Sequence, residues 1–139
     1  AQLHEIGLAV NYTGHHKHGA YLVAQSDLPG FARDEQALVA ALVRGHRRKL
    51  DEAFFAGLPE ELQLPAKKLT ALLRLAVLLN RNRDPEVVAL PHVTASSGKL
   101  KLSFNDEWLD DHPLARADLE REQRRLKPIG LKLTGFEVE

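Results

Sequence analysis

Four polar side chains in the first third of the chain could form a metal site. His4 is followed directly by Glu5, and His18 and His46 come later. An imidazole beside a carboxylate can ligate a divalent metal ion, and further histidines can complete the shell. The alternative is that these histidines pack and hydrogen-bond in or near the core. We treat His4, Glu5, His18 and His46 as one candidate pocket.

A second group of residues is a cluster of cations in a chain whose formal net charge is zero. Arg44, Arg47, Arg48 and Lys49 end one predicted helix, and Lys17 lies in a histidine-rich loop. Arg can contact phosphate oxygens in a bidentate manner, and clustered cations attract a polyanion with strong salt dependence. The alternative is a solvated helix end whose cations offset the helix dipole. We predict a phosphate-chain site at these five residues.

The composition excludes several other kinds of site. The chain has 139 residues, 19 Lys and Arg, 19 Asp and Glu, and no Cys. Without Cys there is no disulfide scaffold, Cys-ligated zinc, iron–sulfur cluster or thiol catalysis. Zero net charge disfavours a generally basic nucleic-acid module, and the longest apolar run, Leu75 to Leu79, is too short to cross a bilayer. We expect a cytoplasmic protein with neither nucleic acid nor membrane as a partner.

The start of the sequence indicates a piece of a longer protein. There is no Met anywhere, and the chain opens directly on the apolar, motif-like stretch Leu3 to Leu8. An intact small protein that has lost its initiator Met is the alternative. We expect a C-terminal fragment.

Two regions of different periodicity would position these residues. Apolar residues first recur every three or four positions, as in helices, and His46 falls on the apolar face of one of them. Farther along, Leu100 and Leu102 alternate with polar residues, as in a half-buried strand. We predict an α+β fold, with a mainly helical domain over 1–85 and a small β-hairpin–helix–strand domain over 86–139. The ring of His46 should be buried.

Breaks in the pattern predict where single elements end. Residues 96–98, Ser-Ser-Gly, suit a hairpin turn. Residues 108–127 are expected to form one helix or two helical pieces broken near Pro113, and the apolar residues near Leu131 supply a last strand. Residues 3–10 resemble the end of a buried helix.

The order of the three histidines resembles that of the His-Asp (HD) phosphohydrolase superfamily. In that superfamily a His-Asp pair ends one helix, a His opens the next, another His follows, and an Asp on a final helix closes the site. The resemblance implies an HD-like helical domain. The chain departs from the pattern because Glu5 replaces Asp, and because Val77 and Asn80 stand where carboxylates are required. A hard cation needs oxygen ligands, so we predict a degenerate pocket that holds no metal.

Longer motifs carry a more specific resemblance. They are Leu3–Leu8, His15–Leu22, Ser26–Phe31, Leu42–Lys49 and Leu72–Asn80, then the closing hairpin with Trp108 and the helical segment Leu119–Glu122. In this order they resemble the C-terminal region of the exopolyphosphatase / guanosine pentaphosphate phosphohydrolase family over nearly the whole chain.

That resemblance implies a division of labour within a larger enzyme. Family members carry the phosphohydrolase site in N-terminal domains of the actin-like ATPase fold, which use acidic residues, glycine-rich phosphate loops and Mg²⁺. The HD-like domain and the small α/β domain hold long polyphosphate and support a homodimer. The resemblance therefore implies no catalytic residue and no cofactor in this chain, and it places Mg²⁺ in the N-terminal domains.

Three functions are compatible with these observations. The first is a non-catalytic C-terminal module of an exopolyphosphatase-like enzyme, which releases terminal phosphate from inorganic polyphosphate or from guanosine pentaphosphate. Such a module would bind the phosphate chain, contact the actin-like domains of its parent and support dimerisation. The second is a stand-alone metal-dependent HD phosphohydrolase, and the third is a pure dimerisation scaffold. We favour the first.

Overall fold

The chain folds into two compact units, Ala1–Arg74 and Leu75–Glu139. The structure is a computed structural model that describes residues 1–81, 90–105 and 107–136. Helices dominate, and a small three-stranded sheet follows them, so the predicted α+β, mainly helical fold is confirmed. The predicted domain boundary between residues 85 and 86 lies outside the described residues and stays a prediction.

Helices form the whole N-terminal unit. In chain order they are the 3-10 helix η1 (Ile6–Ala9), α1 (His15–Gln25), α2 (Arg33–Gly45), the 3-10 helix η2 (Glu52–Phe54) and α3 (Glu60–Leu79), which continues past the end of the unit. Their apolar faces meet in a core of Val23, Ala41, Val43, Leu50, Phe55, Leu58, Ala66 and Ala71. Apolar residues that recur with the 3.6-residue period of a helix therefore form the core of this unit.

Most of the residues that the sequence singled out lie at the end of α2, with Arg44 in its last turn and His46–Lys49 directly after it. Its start is stabilised because the Glu35 carboxylate accepts a hydrogen bond from the Ala32 backbone N–H at 2.9 Å. Acidic side chains in the first turn and Arg44 in the last complement the helix dipole. His46 follows directly after the helix and is only 4% exposed, so its predicted burial is confirmed.

Two glycines allow η1, α1 and α2 to pack closely against one another. A Cβ added to Gly7 would lie 1.8 Å from the His15 carbonyl oxygen, and one on Gly19 would lie 2.9 Å from Cγ1 of Val43.

The prediction of a buried helix end at residues 3–10 is wrong. The segment is a 3-10 helix in which Gly7 is buried and the large side chains of Ile6 and Leu8 are exposed.

After the last residues of α3, the described part of the C-terminal unit forms a sheet and two further α-helices. Its elements are β1 (His92–Ser96), β2 (Lys99–Ser103), α4 (Trp108–Asp111), α5 (Pro113–Leu126), the 3-10 helix η3 (Lys127–Ile129) and β3 (Lys132–Thr134). The strand order is β1-β2-β3, with β1 antiparallel and β3 parallel to β2. The predicted hairpin turn and last strand are confirmed, and of the two alternatives for residues 108–127 the structure has the one that is broken before Pro113.

One face of this sheet packs against α5. Leu100 and Leu102 are buried while their neighbours in β2 are exposed, which confirms the predicted alternation. The Gln123 amide on α5 donates a hydrogen bond to the Leu133 carbonyl at 2.7 Å and ties the helix to β3. The core consists of Leu100, Leu102, Leu119, Leu126, Ile129, Leu131, Leu133 and Phe136.

No helix within residues 1–81, 90–105 and 107–136 has both the length and the apolar character needed to cross a membrane.

Candidate functional site

A basic cleft of about 520 Å³ lies in the N-terminal unit. The start of α1, the end of α2 and the segment through η2 provide its walls. Its lining residues are Thr13, Gly14, His16, Lys17, Arg44, Arg48, Lys49, Asp51 and Phe54. Four of the five cations that the sequence predicted as a phosphate-chain site therefore line a single cleft.

Arg44 and Arg48 are held at the cleft by different kinds of contact. Arg44 is in the last turn of α2, and its Cζ lies 4.4 Å from the centroid of the Phe54 ring. This cation–π contact limits the freedom of the guanidinium. Arg48 lies just after the helix, in the left-handed backbone region with φ of 64°. That conformation is uncommon for a side chain other than Gly or Asn, so tertiary contacts must stabilise it.

Arg74 on α3 provides the contacts that stabilise this turn. This arginine is only 3% exposed. Its Nη1 donates to the Gly45 carbonyl at 2.6 Å, and its Nη2 donates to the Arg48 carbonyl at 2.9 Å. The planar guanidinium suits two acceptors at a fixed spacing. Arg74 is therefore a positioning residue for the turn that carries the cations of the cleft.

The charges of the cleft favour an anion. Against its four cations the lining contains one carboxylate, Asp51, whose Oδ1 accepts a hydrogen bond from the Ala53 N–H at 3.0 Å. Gly14 caps the start of α1 in the left-handed region, with φ of 68°, so the positive end of that helix dipole also lies at the cleft. The arrangement therefore offers positive charge and hydrogen-bond donors to an anion.

Arg47, the fifth predicted cation, is not among the lining residues. Its Cζ lies 5.6 Å from the centroid of the Tyr12 ring. Burial is the main cause that lowers the pKa values of His15, His16 and His46, and the charge of Arg47 adds to that lowering. The assignment of Arg47 to phosphate binding stays a prediction.

The candidate histidine pocket is only partly assembled as the sequence predicted. The rings of His4 and His46 meet edge to face, with centroids 5.1 Å apart. His15, which the prediction did not include, lies with its ring centroid 5.4 Å from that of His46. Glu5 is exposed, with Oε1 4.0 Å from Nε2 of His4, and His18 is half-buried on α1.

The histidine pocket does not fit a metal ion. Among the described residues, no group of three or more His, Cys, Asp or Glu side chains could hold one. Nδ1–H of His46 donates to the Val43 carbonyl at 2.6 Å. Asn80 stands where the HD pattern requires a carboxylate, and its amide donates to the Ala76 carbonyl of its own helix at 2.8 Å. We therefore assign no chemistry to a metal here.

Three histidines of this region are buried in their neutral form. Burial lowers the pKa of His46 from near 6.5 to about 4, even though the hydrogen bond to Val43 acts to raise it. Burial, reinforced by the Arg44 charge, lowers the pKa of His16 to about 4. Burial and Arg47 also lower the pKa of His15. Protonation of these side chains therefore favours the unfolded chain.

We predict that the N-terminal unit loses stability as the pH falls from about 6.5 to about 4. The unfolded chain binds protons near pH 6.5, whereas folded His16 and His46 bind them only near pH 4. At pH 5 this linkage costs about 2 kcal/mol per histidine. Urea unfolding followed by far-UV circular dichroism at a series of pH values measures the effect.

A matched pair of variants tests the origin of this pH dependence. The double variant His16→Gln/His46→Gln should show a flatter dependence of unfolding free energy on pH. His92→Gln, which changes an exposed histidine of β1, should leave the dependence unchanged. A wild-type free energy of unfolding that stays constant between pH 7 and pH 5 would contradict the prediction.

Comparison with known proteins assigns the chain to a family. Residues 1–123 match the family described as Ppx/GppA phosphatase, domain III. A guanosine-5'-triphosphate,3'-diphosphate pyrophosphatase of Pseudoalteromonas translucida is 37% identical over 133 residues. Proteins with the same name from Vibrio cholerae and Vibrio vulnificus are each 38% identical, over 137 and 136 residues. Each alignment covers 96% of this chain but only 26% to 27% of the relative. The chain belongs to the Ppx/GppA phosphatase family.

Proposed function

We propose that this chain is a non-catalytic C-terminal module that binds the phosphate chain of a substrate for its parent phosphatase. The observation that carries the proposal is the basic cleft, where Lys17, Arg44, Arg48 and Lys49 converge around one carboxylate. Phosphate oxygens accept strong charge-assisted hydrogen bonds from such groups. A chain of zero net charge attracts a polyanion only where it concentrates its cations.

The parent enzyme would remove terminal phosphate from inorganic polyphosphate or from guanosine pentaphosphate. The relatives are named for guanosine-5'-triphosphate,3'-diphosphate, which supports the second substrate, and the open cleft supports a longer chain. In this proposal Mg²⁺ serves the actin-like domains of the parent, and no residue of this chain is assigned to it. We propose the cytoplasm as the location, since a chain without Cys suits a reducing compartment.

The test is binding of long-chain polyphosphate to the full chain and to the variant Arg44→Gln/Lys49→Gln. Because the variant removes two of the four cations of the cleft, we expect at least about tenfold weaker binding at low salt and a weaker dependence of affinity on salt. Isothermal titration calorimetry at two salt concentrations measures both quantities.

The matched control is Arg33→Gln/Lys68→Gln, which removes the same charge from the N-terminal unit. Neither residue lines the cleft, so this variant should bind like the wild type at high salt and nearly so at low salt. Equal affinities of the cleft variant, the control and the wild type would remove the cleft from the proposal.

Two alternatives have distinguishable outcomes. Hydrolysis of polyphosphate by the chain with Mn²⁺, abolished by His46→Ala, would favour the stand-alone HD phosphohydrolase. Absence of polyphosphate binding together with a dimeric mass in light scattering would favour the scaffold. Dimerisation is part of our proposal, and exposed apolar side chains such as Tyr12, Tyr21 and Phe31 support it because they offer contact area to a second copy.

A further inference from the structure

Strand β1 is an edge strand that lacks the usual protection against pairing with another chain. Its neighbour in the sheet is β2 alone, and among the described residues no backbone hydrogen bond joins it to another element. Lysines, prolines and bulges often guard natural edge strands. The five residues of β1, His-Val-Thr-Ala-Ser, include no Lys or Pro, and their register with β2 is unbroken. The outer edge therefore offers backbone donors and acceptors to a further strand.

The apolar row of β1 is open as well. Val93 pairs with Leu102 and Ala95 pairs with Leu100, so all four side chains lie on the face of the sheet that packs against α5. The two leucines are buried, whereas Val93 is 40% exposed and Ala95 is also exposed. The core of this unit thus ends at β2. An added strand with apolar side chains at alternate positions would cover Val93 and Ala95 and extend the core.

The opposite face of the sheet favours carboxylates. Lys99 pairs with Ser96 and Lys101 pairs with Thr94 across the β1–β2 ladder, and Lys99 is also the register partner of Lys132 on β3. All three lysines are exposed. Like charges at paired positions destabilise a sheet, and the three described strands contain no Asp or Glu that could offset them. A partner that brings acidic side chains to this face would remove the repulsion.

The geometry of a sheet puts such side chains within reach. Neighbouring strands lie about 4.8 Å apart, so a strand added to β1 would lie about 10 Å from β2. The flexible four-carbon stem of a lysine can extend over the short hydroxyl side chains of Thr94 and Ser96. A second copy of β1 would supply no carboxylate and would bring its own lysines to the same face. Charge therefore favours an acidic partner over a second copy.

We propose that an extended segment of a partner protein, with alternating apolar and acidic residues, adds to β1 as a further strand of the sheet. Its apolar side chains cover Val93 and Ala95, and its carboxylates face Lys99 and Lys101. Backbone hydrogen bonds provide affinity in this mode of recognition, and the alternating side chains provide specificity. The surface belongs to the C-terminal unit and depends neither on the proposed function nor on the basic cleft.

The test is a titration of the full, ¹⁵N-labelled chain with a synthetic peptide of alternating Glu and Val at low salt. We expect chemical-shift changes at the amides of β1 and slower hydrogen exchange there. The variant Lys99→Glu/Lys101→Glu should bind this peptide at least about tenfold more weakly, because two attractive pairs become repulsive. The same variant should instead prefer a peptide of alternating Lys and Val. Its fold should persist, since Lys99→Glu replaces the repulsion with Lys132 by attraction.

Two controls separate strand addition from general attraction of charge. The variant Arg33→Glu/Lys68→Glu makes the same change of charge in the N-terminal unit and should bind the acidic peptide like the wild type. A proline at the centre of the acidic peptide keeps its carboxylates but interrupts strand pairing, so that peptide should leave the amides of β1 unprotected.

Several results would overturn the proposal. One is a wild-type chain that does not bind the acidic peptide, and another is equal affinity of the wild type and Lys99→Glu/Lys101→Glu. Binding that leaves the amides of β1 unchanged, or that the central proline does not weaken, would show charge attraction without strand addition. A free chain with a dimeric mass in light scattering and protected amides in β1 would show that a second copy occupies the edge.

Discussion

Gly7→Ala should destabilise the N-terminal unit by about 3 kcal/mol or more. The added Cβ would lie 1.8 Å from the His15 carbonyl oxygen and 2.6 Å from the Gly19 nitrogen. Both neighbours are backbone atoms of α1, so no side-chain rotation relieves the overlap. The helices must move apart, which opens the packing around His15. Urea unfolding followed by far-UV circular dichroism measures the change.

The matched control for this substitution is Gly57→Ala. A Cβ at Gly57 would meet no atom within 4 Å, and the residue has no positive φ. We expect its unfolding free energy to stay within about 1 kcal/mol of the wild-type value. Fluorescence of Trp108, the only tryptophan, reports on the C-terminal unit in the same samples. An unfolding midpoint of Gly7→Ala equal to that of Gly57→Ala would show that the close packing is wrong.

Arg74→Met should cost about 2–6 kcal/mol of stability and also weaken phosphate binding. Methionine fills much of the buried volume, but it leaves the carbonyls of Gly45 and Arg48 without the guanidinium that they bind in the native structure. Loss of a donor to a buried acceptor costs about 1–3 kcal/mol each. Without these bonds the turn that carries Arg48 can relax, which would move a cation of the cleft.

Two further variants separate structure from charge. Arg74→Lys keeps the charge but lacks the planar fork that reaches two carbonyls, so we expect an intermediate loss. Arg33→Met removes an exposed cation at the start of α2 and should leave both stability and polyphosphate affinity nearly unchanged. Polyphosphate titration by calorimetry and urea unfolding are the two measurements. Wild-type affinity and stability in Arg74→Met would contradict a positioning role for this residue.

The elements that were predictable are those whose burial repeats with a simple period. The alternation around Leu100 and Leu102 specifies one buried and one exposed face, and the structure has both. The helical spacing predicted that His46 is buried, and in the structure it is. The segment around Gly7 was mispredicted because its apolar residues resemble a buried helix, whereas a backbone contact to α1 determines its conformation. Sequence periodicity carries no information about such contacts.

The candidate site was predictable in its charges but not in its supporting contacts. Lys17 and Arg44 stand out because cations cluster near helix ends in a neutral chain. Nothing in the sequence distinguishes Arg74 from other helical cations, and only the fold shows that it donates to two carbonyls outside its own helix. His15 was missed because the HD pattern emphasises His18, and the direction of a side chain at the start of a helix depends on tertiary packing.

The parallel pairing of β3 with β2 also determines the order in which the C-terminal unit can fold. The β1–β2 hairpin closes over a short turn, and such hairpins form within about 1–10 μs. β3 can pair only after the connection through α5 has been brought back to the sheet, and contacts of that sequence separation form slowly. β2 therefore has an open edge during folding until Lys132–Thr134 docks. We therefore expect the rate of C-terminal folding to depend on the docking of this three-residue strand more than on the hairpin.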